Sequence, residues 1–132
     1  MITRLSRMIF GCHLDLIPNV LKEDHQIIVG GKFLSDKHIN FAQRLIKMQN
    51  SNIGGLLCTL NFSKRCFKPF TEPAIQMIHT RGNHWIVVST IESTTKISVY
   101  DTLYLDLEKD TRELILYMFG NSTCNIIKED VQ

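Results

Sequence analysis

The sequence has no long hydrophobic run and no long run of charges of one sign. Its longest apolar stretches, such as WIVV, are far shorter than the roughly 18 apolar residues that a membrane span needs. Fifteen basic residues against thirteen acidic ones leave a formal net charge of +2, and no cluster of Lys or Arg forms the basic patch that nucleic-acid binding requires. We therefore expect neither a membrane protein nor a nucleic-acid-binding protein.

Cysteine and glycine are few, and neither is arranged as a known binding motif. The four cysteines lie at positions 12, 58, 66 and 124, without a CxxC pair or the close Cys/His spacing of a structural zinc site. The Gly-Gly pairs at 30–31 and 54–55 lack the frame of a phosphate-binding loop, so we interpret them as turns. We expect no metal site, no signal peptide, reduced thiols, and an intracellular location in the nucleus or the cytoplasm.

The 132 residues, 44% of them hydrophobic, are enough for one globular domain. Apolar residues at helical spacing predict two helices, and β-rich runs bounded by turn residues predict strands joined as an antiparallel meander. The expected helices cover 36–49 and 106–120, and the expected strands cover 26–29, 74–79, 84–91, 96–101 and 124–127. The fold class is therefore α+β, with an antiparallel meander and flanking helices.

A histidine begins one strand of this meander and an aspartate ends the next. If Ile91 and Lys96 close the turn between them, paired residue numbers sum to 187, so that Ile86 faces Asp101. His84 then lies one diagonal step away on the same face, whereas a slip of one residue would separate the two side chains. An aspartate against one ring nitrogen fixes the tautomer and leaves the other nitrogen to take a proton from a nucleophile. The alternative is a polar contact with a purely structural role.

Other ring-bearing residues have simpler interpretations. Trp85, the only tryptophan, lies on the opposite face from His84 by strand alternation, and a lone tryptophan in an apolar strand is usually a core residue. We interpret His38 as a solvated residue of the first helix and His79 as structural.

Three segments together resemble the papain-like proteases that cleave ubiquitin-like proteins, the SUMO (sentrin) protease family. They read LSDKHINFAQRLI, IQMIHTRGNHWIVVSTI and ISVYDTLY. In that family a Leu-Asn-Asp segment opens a helix near the substrate channel, a His-Trp pair begins a strand, and an Asp ends the next strand within Tyr-Asp-Ser-Leu. The corresponding residues, within a resemblance that covers about 33–120, are Leu34-Ser35-Asp36, His84-Trp85 and Tyr100-Asp101-Thr102-Leu103.

The resemblance implies a papain-like fold fragment and a cysteine-type peptidase that acts on a ubiquitin-like modifier or its conjugate. In that interpretation His84 is the general base and Asp101 is its orienting acid. Trp85 lines the narrow channel that receives the Gly-Gly tail of the substrate, and Asp36 lies near the same channel. No metal or organic cofactor is needed, and we expect a monomer. Residues 1–32 would form an N-terminal segment of unassigned role, and residues 33–132 a partial protease domain.

The sequence also departs from the family. Ser35 replaces the usual Asn, and Phe33 stands where a Trp is common. The nucleophile of the family, a Cys within Asp-Cys-Gly that follows a Gln, has no counterpart, because Cys124 lies in STCNI without an acidic residue before it or a Gly after it. We therefore expect a protease fragment that stops before its nucleophile and is inactive alone. The alternative is a non-catalytic pseudo-protease module that binds a ubiquitin-like tail without cutting it.

Overall fold

A computed structural model of the chain describes residues 23, 26, 34–60, 65–82, 84–93, 95–120 and 125–129. These residues fall into two compact units that divide between Asn52 and Ile53. Cys12, Phe33 and Cys124 lie outside the described residues. Of the strand predicted over 26–29 only Gln26 is described, and it is helical.

The first unit contains helix α1, Asp36–Gln49, with the bounds that the sequence predicts. At its start the Ser35 amide donates a hydrogen bond of 3.0 Å to His38 Nδ1, and the Ser35 hydroxyl lies 3.1 Å from the same nitrogen. His38 is only 4% exposed, so its interpretation as a solvated residue is wrong. The imidazole is buried because it serves as an acceptor for a backbone amide that the helix leaves unpaired. The buried apolar residues of the helix are Ile39, Phe41, Ala42 and Leu45.

The second unit is a mixed sheet with one described helix. Its elements are β1 (Gly54–Gly55), β2 (Ala74–Thr80), β3 (His84–Ser89), β4 (Lys96–Tyr100), α2 (Lys109–Met118) and β5 (Asn125–Glu129). The strands lie in the order β1-β2-β3-β4-β5. The pairs β2–β3 and β3–β4 are antiparallel, as the sequence predicts, whereas β1–β2 and β4–β5 are parallel. The described chain is thus α+β, with a five-stranded mixed sheet and two helices.

The pairing of β3 with β4 has the predicted register. Val88 lies opposite Val99 and Ser89 opposite Ser98, so paired numbers sum to 187. Continuing this register by one residue beyond the last pair, Val87 with Tyr100, places Ile86 opposite Asp101. Even-numbered residues of β3 and odd-numbered residues of β4 and its continuation therefore share one face of the sheet.

That shared face carries the core of the second unit. Helix α2 covers it with Ile115 and Met118, both fully buried. Burial of a large apolar side chain stabilises the folded state by about 1.5–3 kcal/mol, so this cluster holds the helix on the sheet. The sheet residues of the cluster are Ile78, Ile86, Val88, Ile97 and Val99.

The Gly54-Gly55 pair is not the turn that the sequence predicts. It forms β1, and the Leu56 amide donates a 2.8 Å hydrogen bond to the Ile75 carbonyl just beyond it. Gly55 has φ +77°, and a Cβ atom there would lie 2.2 Å from the Ile75 carbonyl oxygen. Glycine is therefore required for the close approach of the two backbones, a reason that the local sequence does not reveal.

We expect Gly55→Ala to destabilise the protein much more than Gly82→Ala. Both glycines have positive φ, +77° and +81°, so both substitutions carry a left-handed backbone cost of about 1–2 kcal/mol. Only at Gly55 does the new methyl group meet backbone, since nothing lies within 4 Å of a Cβ at Gly82. Urea unfolding of both variants measures the difference. Equal losses would show that the close approach of β1 and β2 is not a real constraint.

Candidate functional site

His84 and Asp101 meet at one end of the sheet. His84 is the first residue of β3 and Asp101 directly follows β4. His84 Nε2 lies 2.7 Å from Asp101 Oδ1, and the two side chains are only 3% and 1% exposed. The contact predicted from the strand register is therefore present in the structure.

The Asp101 carboxylate is held by several donors. Its Oδ1 also accepts hydrogen bonds from the amides of Leu103, at 2.9 Å, and Tyr104, at 3.1 Å. Its Oδ2 lies 3.4 Å from Lys128 Nζ. Burial acts to raise the pKa of Asp101, but the hydrogen bonds from the Leu103 amide, the His84 ring and the Tyr104 amide outweigh it, and the pKa lies below its ordinary value. Asp101 is therefore ionised at neutral pH.

An ionised partner fixes the tautomer of His84. A carboxylate can only accept hydrogen bonds, so Nε2 must carry a proton and donate it to Asp101 Oδ1. In the neutral ring Nδ1 is then the acceptor. This nitrogen makes no hydrogen bond with any residue that the structure describes. The pair therefore has the geometry of a base and its orienting acid.

Tyr104 and Arg81 form a second layer beside the imidazole. The Tyr104 ring lies edge-on to His84, with centroids 5.3 Å apart and an interplanar angle of 77°. The Arg81 guanidinium lies over the Tyr104 ring, 3.9 Å from its centroid. Arg81 is fixed in turn by Asp106, whose carboxylate and carbonyl it contacts at 3.1 and 3.0 Å. These contacts restrict the orientation of the His84 ring.

A concavity of about 300 Å³ opens beside Asp101 and not beside His84. Its lining residues are Asp101, Thr102, Leu103, Tyr104, Leu105, Lys128 and Glu129. His84 does not line it, so this opening does not lead to the free nitrogen of the imidazole.

Of the two residues that the resemblance assigns to substrate binding, Trp85 belongs to the same compact unit as this pair and Asp36 belongs to the other unit. Trp85 is on the opposite face of β3 from His84 and is 8% exposed, with its ring 4.7 Å from that of His79 on β2. The prediction that Trp85 is largely buried is confirmed. Asp36 is exposed in the first turn of α1, in the other compact unit. Their role in binding a Gly-Gly tail stays a prediction.

No described sulfur atom makes a hydrogen bond to His84. Cys58 and Cys66 are exposed thiols, and the predictions for Cys12 and Cys124 fall outside the described residues. In the part of the chain that the structure describes, no cluster of three His, Cys, Asp or Glu side chains could hold a metal ion. Within the same ranges, no helix has the length and apolar character needed to cross a membrane.

Three residues of the site were missed by the sequence analysis. Tyr104 had a usable signal, since an aspartate often accepts amide hydrogen bonds from residues two and three positions later. Lys128 and Arg81 had no such signal, because they lie 27 and 20 residues from Asp101 in the sequence. Lys128 contacts Asp101, and Arg81 contacts Tyr104, only once the sheet has formed.

No protein-family model matches the chain, and neither does any curated protein. The geometry of His84, Asp101 and their neighbours is therefore the main ground on which a function can be argued.

We expect Asp101→Asn to lower the free energy of unfolding at pH 7 by about 2–3 kcal/mol, because hydrogen bonds to a buried charged group are worth about 1.5–3 kcal/mol. The lowered pKa of Asp101 contributes stability that is present above the ordinary value of about 3.9 and is lost as the pH falls through the folded value. The difference in the free energy of unfolding between wild type and variant should therefore be constant from pH 7 to about pH 5. It should close below about pH 4.

Urea unfolding at pH 7, 5, 4 and 3 measures this gap. Asp106→Asn is the matched control, because the Asp106 side chain is 87% exposed and pairs only with Arg81 among the described residues. We expect little change from that control at any pH. A gap for Asp101→Asn that does not close at acidic pH would contradict the assignment of a buried, ionised carboxylate.

Proposed function

We propose that this chain carries the base half of a cysteine-peptidase site that acts on ubiquitin-like modifiers or their conjugates. The observation that carries the proposal is the buried contact of 2.7 Å between His84 Nε2 and Asp101 Oδ1, with His84 Nδ1 left as an acceptor. The resemblance of the segments around His84-Trp85 and Tyr100-Asp101 to the SUMO protease family supports the substrate class. A papain-like fold is part of the same proposal.

The chemistry assigned to the pair follows from its protonation state. Nδ1 of the neutral imidazole takes the proton of a cysteine thiol, and the thiolate attacks the carbonyl carbon that follows the Gly-Gly tail. Asp101 stabilises the resulting imidazolium, which then gives its proton to the leaving amine. The acyl group is now a thioester on the cysteine; a water molecule, deprotonated by the same nitrogen, attacks it, the C–S bond breaks to release the carboxylate product, and the imidazolium returns its proton to the thiolate. No metal or organic cofactor takes part in these steps.

The thiol is the component that the described residues do not supply. Cys58 and Cys66 are exposed and precede the base along the chain, whereas the family places its cysteine after the acid. Because a base without a thiol has nothing to activate, we expect the 132-residue chain to be inactive as a peptidase on its own.

A second candidate is a non-catalytic module that binds a ubiquitin-like tail. The observation that favours it is the lack of any described sulfur atom within hydrogen-bonding distance of His84. In that case the His84–Asp101 pair would serve to hold the end of the sheet, and the tail-binding roles predicted for Trp85 and for Asp36 would be what remains.

Both candidate functions require the chain to bind the tail of a ubiquitin-like protein. Calorimetric titration of the chain with ubiquitin-like proteins tests that binding. Each protein is used in two forms, with its C-terminal Gly-Gly and without it. We expect saturable binding only when Gly-Gly is present, and we expect Asp36→Asn and Trp85→Phe each to weaken it by about tenfold, or about 1.4 kcal/mol. Asp110→Asn is the matched control for Asp36, since both are exposed acids in the first turn of a helix.

The same ubiquitin-like proteins with a vinyl sulfone at the C-terminus separate the two candidates. A covalent adduct on a cysteine that forms in the wild type and not in His84→Gln would favour the peptidase and would overturn the expectation of inactivity. Binding without an adduct would favour the non-catalytic module. If no ubiquitin-like protein binds and no adduct forms, the proposal is wrong.

A further inference from the structure

Lys128 reaches the His84–Asp101 pair from the far strand of the described sheet. Its Nζ lies 3.4 Å from Asp101 Oδ2 and donates a hydrogen bond of 2.6 Å to the Tyr104 carbonyl. The lysine thus contacts the loop that supplies the acid at two points, Asp101 and Tyr104. Its side chain is 23% exposed, so most of the side chain is buried.

The register of β5 on β4 explains this reach. Lys128 is the parallel partner of Val99, which belongs to the buried face that also carries Asp101. Ile126, two residues earlier on β5, packs against the same core cluster. Because side chains alternate along a strand, Lys128 continues that face beyond the core and arrives at the carboxylate.

The charge of Lys128 is directed to Asp101 rather than to another acid. Of the described residues, the basic side chains in contact with Asp101 are the imidazole of His84 and the ammonium group of Lys128. Other charged groups at this end of the unit have partners of their own: Arg81 contacts Asp106, Lys96 contacts Glu129, and the Glu108 carboxylate accepts from the Thr80 hydroxyl and the Arg81 amide. The two oxygens of the carboxylate are therefore divided, with the imidazole and two amides on Oδ1 and the ammonium group on Oδ2.

We infer that Lys128 is a positioning residue of the His84–Asp101 pair, which fixes the carboxylate and offsets the negative charge that the carboxylate presents to the imidazole. An unopposed aspartate favours the imidazolium, and an imidazolium cannot accept a proton. A lysine on the second oxygen makes the Lys–Asp unit nearly neutral toward the ring, while Oδ1 still orients Nε2. The value of a neutral imidazole as a base depends on the proposed function, whereas the electrostatic effect does not.

A purely mechanical role for Lys128 would act through the Tyr104 carbonyl alone. Lys128→Gln distinguishes the two roles, since its amide offers that carbonyl a donor only one atom nearer the backbone than the ammonium group but carries no charge. Lys128→Arg keeps the charge and the donor. Lys96→Gln is the matched control. It also removes a positive charge, on the neighbouring strand β4, but Lys96 pairs with Glu129 and not with Asp101.

The readout is the pH titration of the His84 ring nitrogens by ¹H–¹⁵N NMR on the full chain without any ligand. His84→Gln identifies the His84 signals among those of the five histidines. We expect Lys128→Gln and Lys128→Met to raise the proton affinity of His84 by about tenfold, because the carboxylate that accepts from the ring then loses the cation on its other oxygen. Lys128→Arg and Lys96→Gln should leave it near the wild-type value.

Two results would overturn the inference. One is an unchanged His84 titration in Lys128→Gln with an intact amide spectrum, and the other is an equal rise in Lys96→Gln. Lys128→Gln retains the donor to Tyr104, so it is expected to fold even if Lys128→Met does not. Because the experiment contains no ubiquitin-like protein, its failure is separate from a failure of the proposed function, which is measured by binding and adduct formation.

Discussion

A buried carboxylate requires a hydrogen-bond donor or a cation for each of its oxygens, and the end of the sheet is arranged around that requirement at Asp101. The donors come from separate parts of the second unit: the imidazole from β3, two amides from the loop after β4, and the ammonium group of Lys128 from β5. No single hairpin could supply all of them. The site therefore exists only when three neighbouring strands are paired in one register.

Tyr104 contacts four residues of this site, Asp101, Lys128, His84 and Arg81. Its amide donates to Asp101, its carbonyl accepts from Lys128, and its ring contacts both His84 and Arg81. The Arg81 amide in turn donates to the Glu108 carboxylate just before α2. The turn between β2 and β3, the loop after β4 and the start of α2 are thus tied to one another. Such mutual fixation is what keeps a base and its acid in a defined geometry.

Much of this could be predicted from local patterns, and the remainder could not for a clear reason. The β3–β4 register, in which paired residue numbers sum to 187 as the sequence predicts, brings His84 and Asp101 to one face. The bounds of α1 follow from its cap and apolar spacing. The parallel pairs β1–β2 and β4–β5 leave no local sequence signal, because they join segments separated by other structure. Lys128 depends on one of these pairs, and so it was missed.

The two buried histidines of the described chain show how a structural role differs from a functional one. His38 is 4% exposed, and its Nδ1 accepts from the Ser35 amide, so it satisfies a donor that the helix leaves unpaired. His84 is 3% exposed, and its Nε2 is bound to Asp101, yet its Nδ1 has no hydrogen bond among the described residues. A histidine kept only for stability gains most when both nitrogens are paired. The arrangement at His84 instead fixes one nitrogen with a carboxylate, a loop and a lysine, and leaves the opposite nitrogen with a lone pair, which is what proton transfer from an incoming group requires.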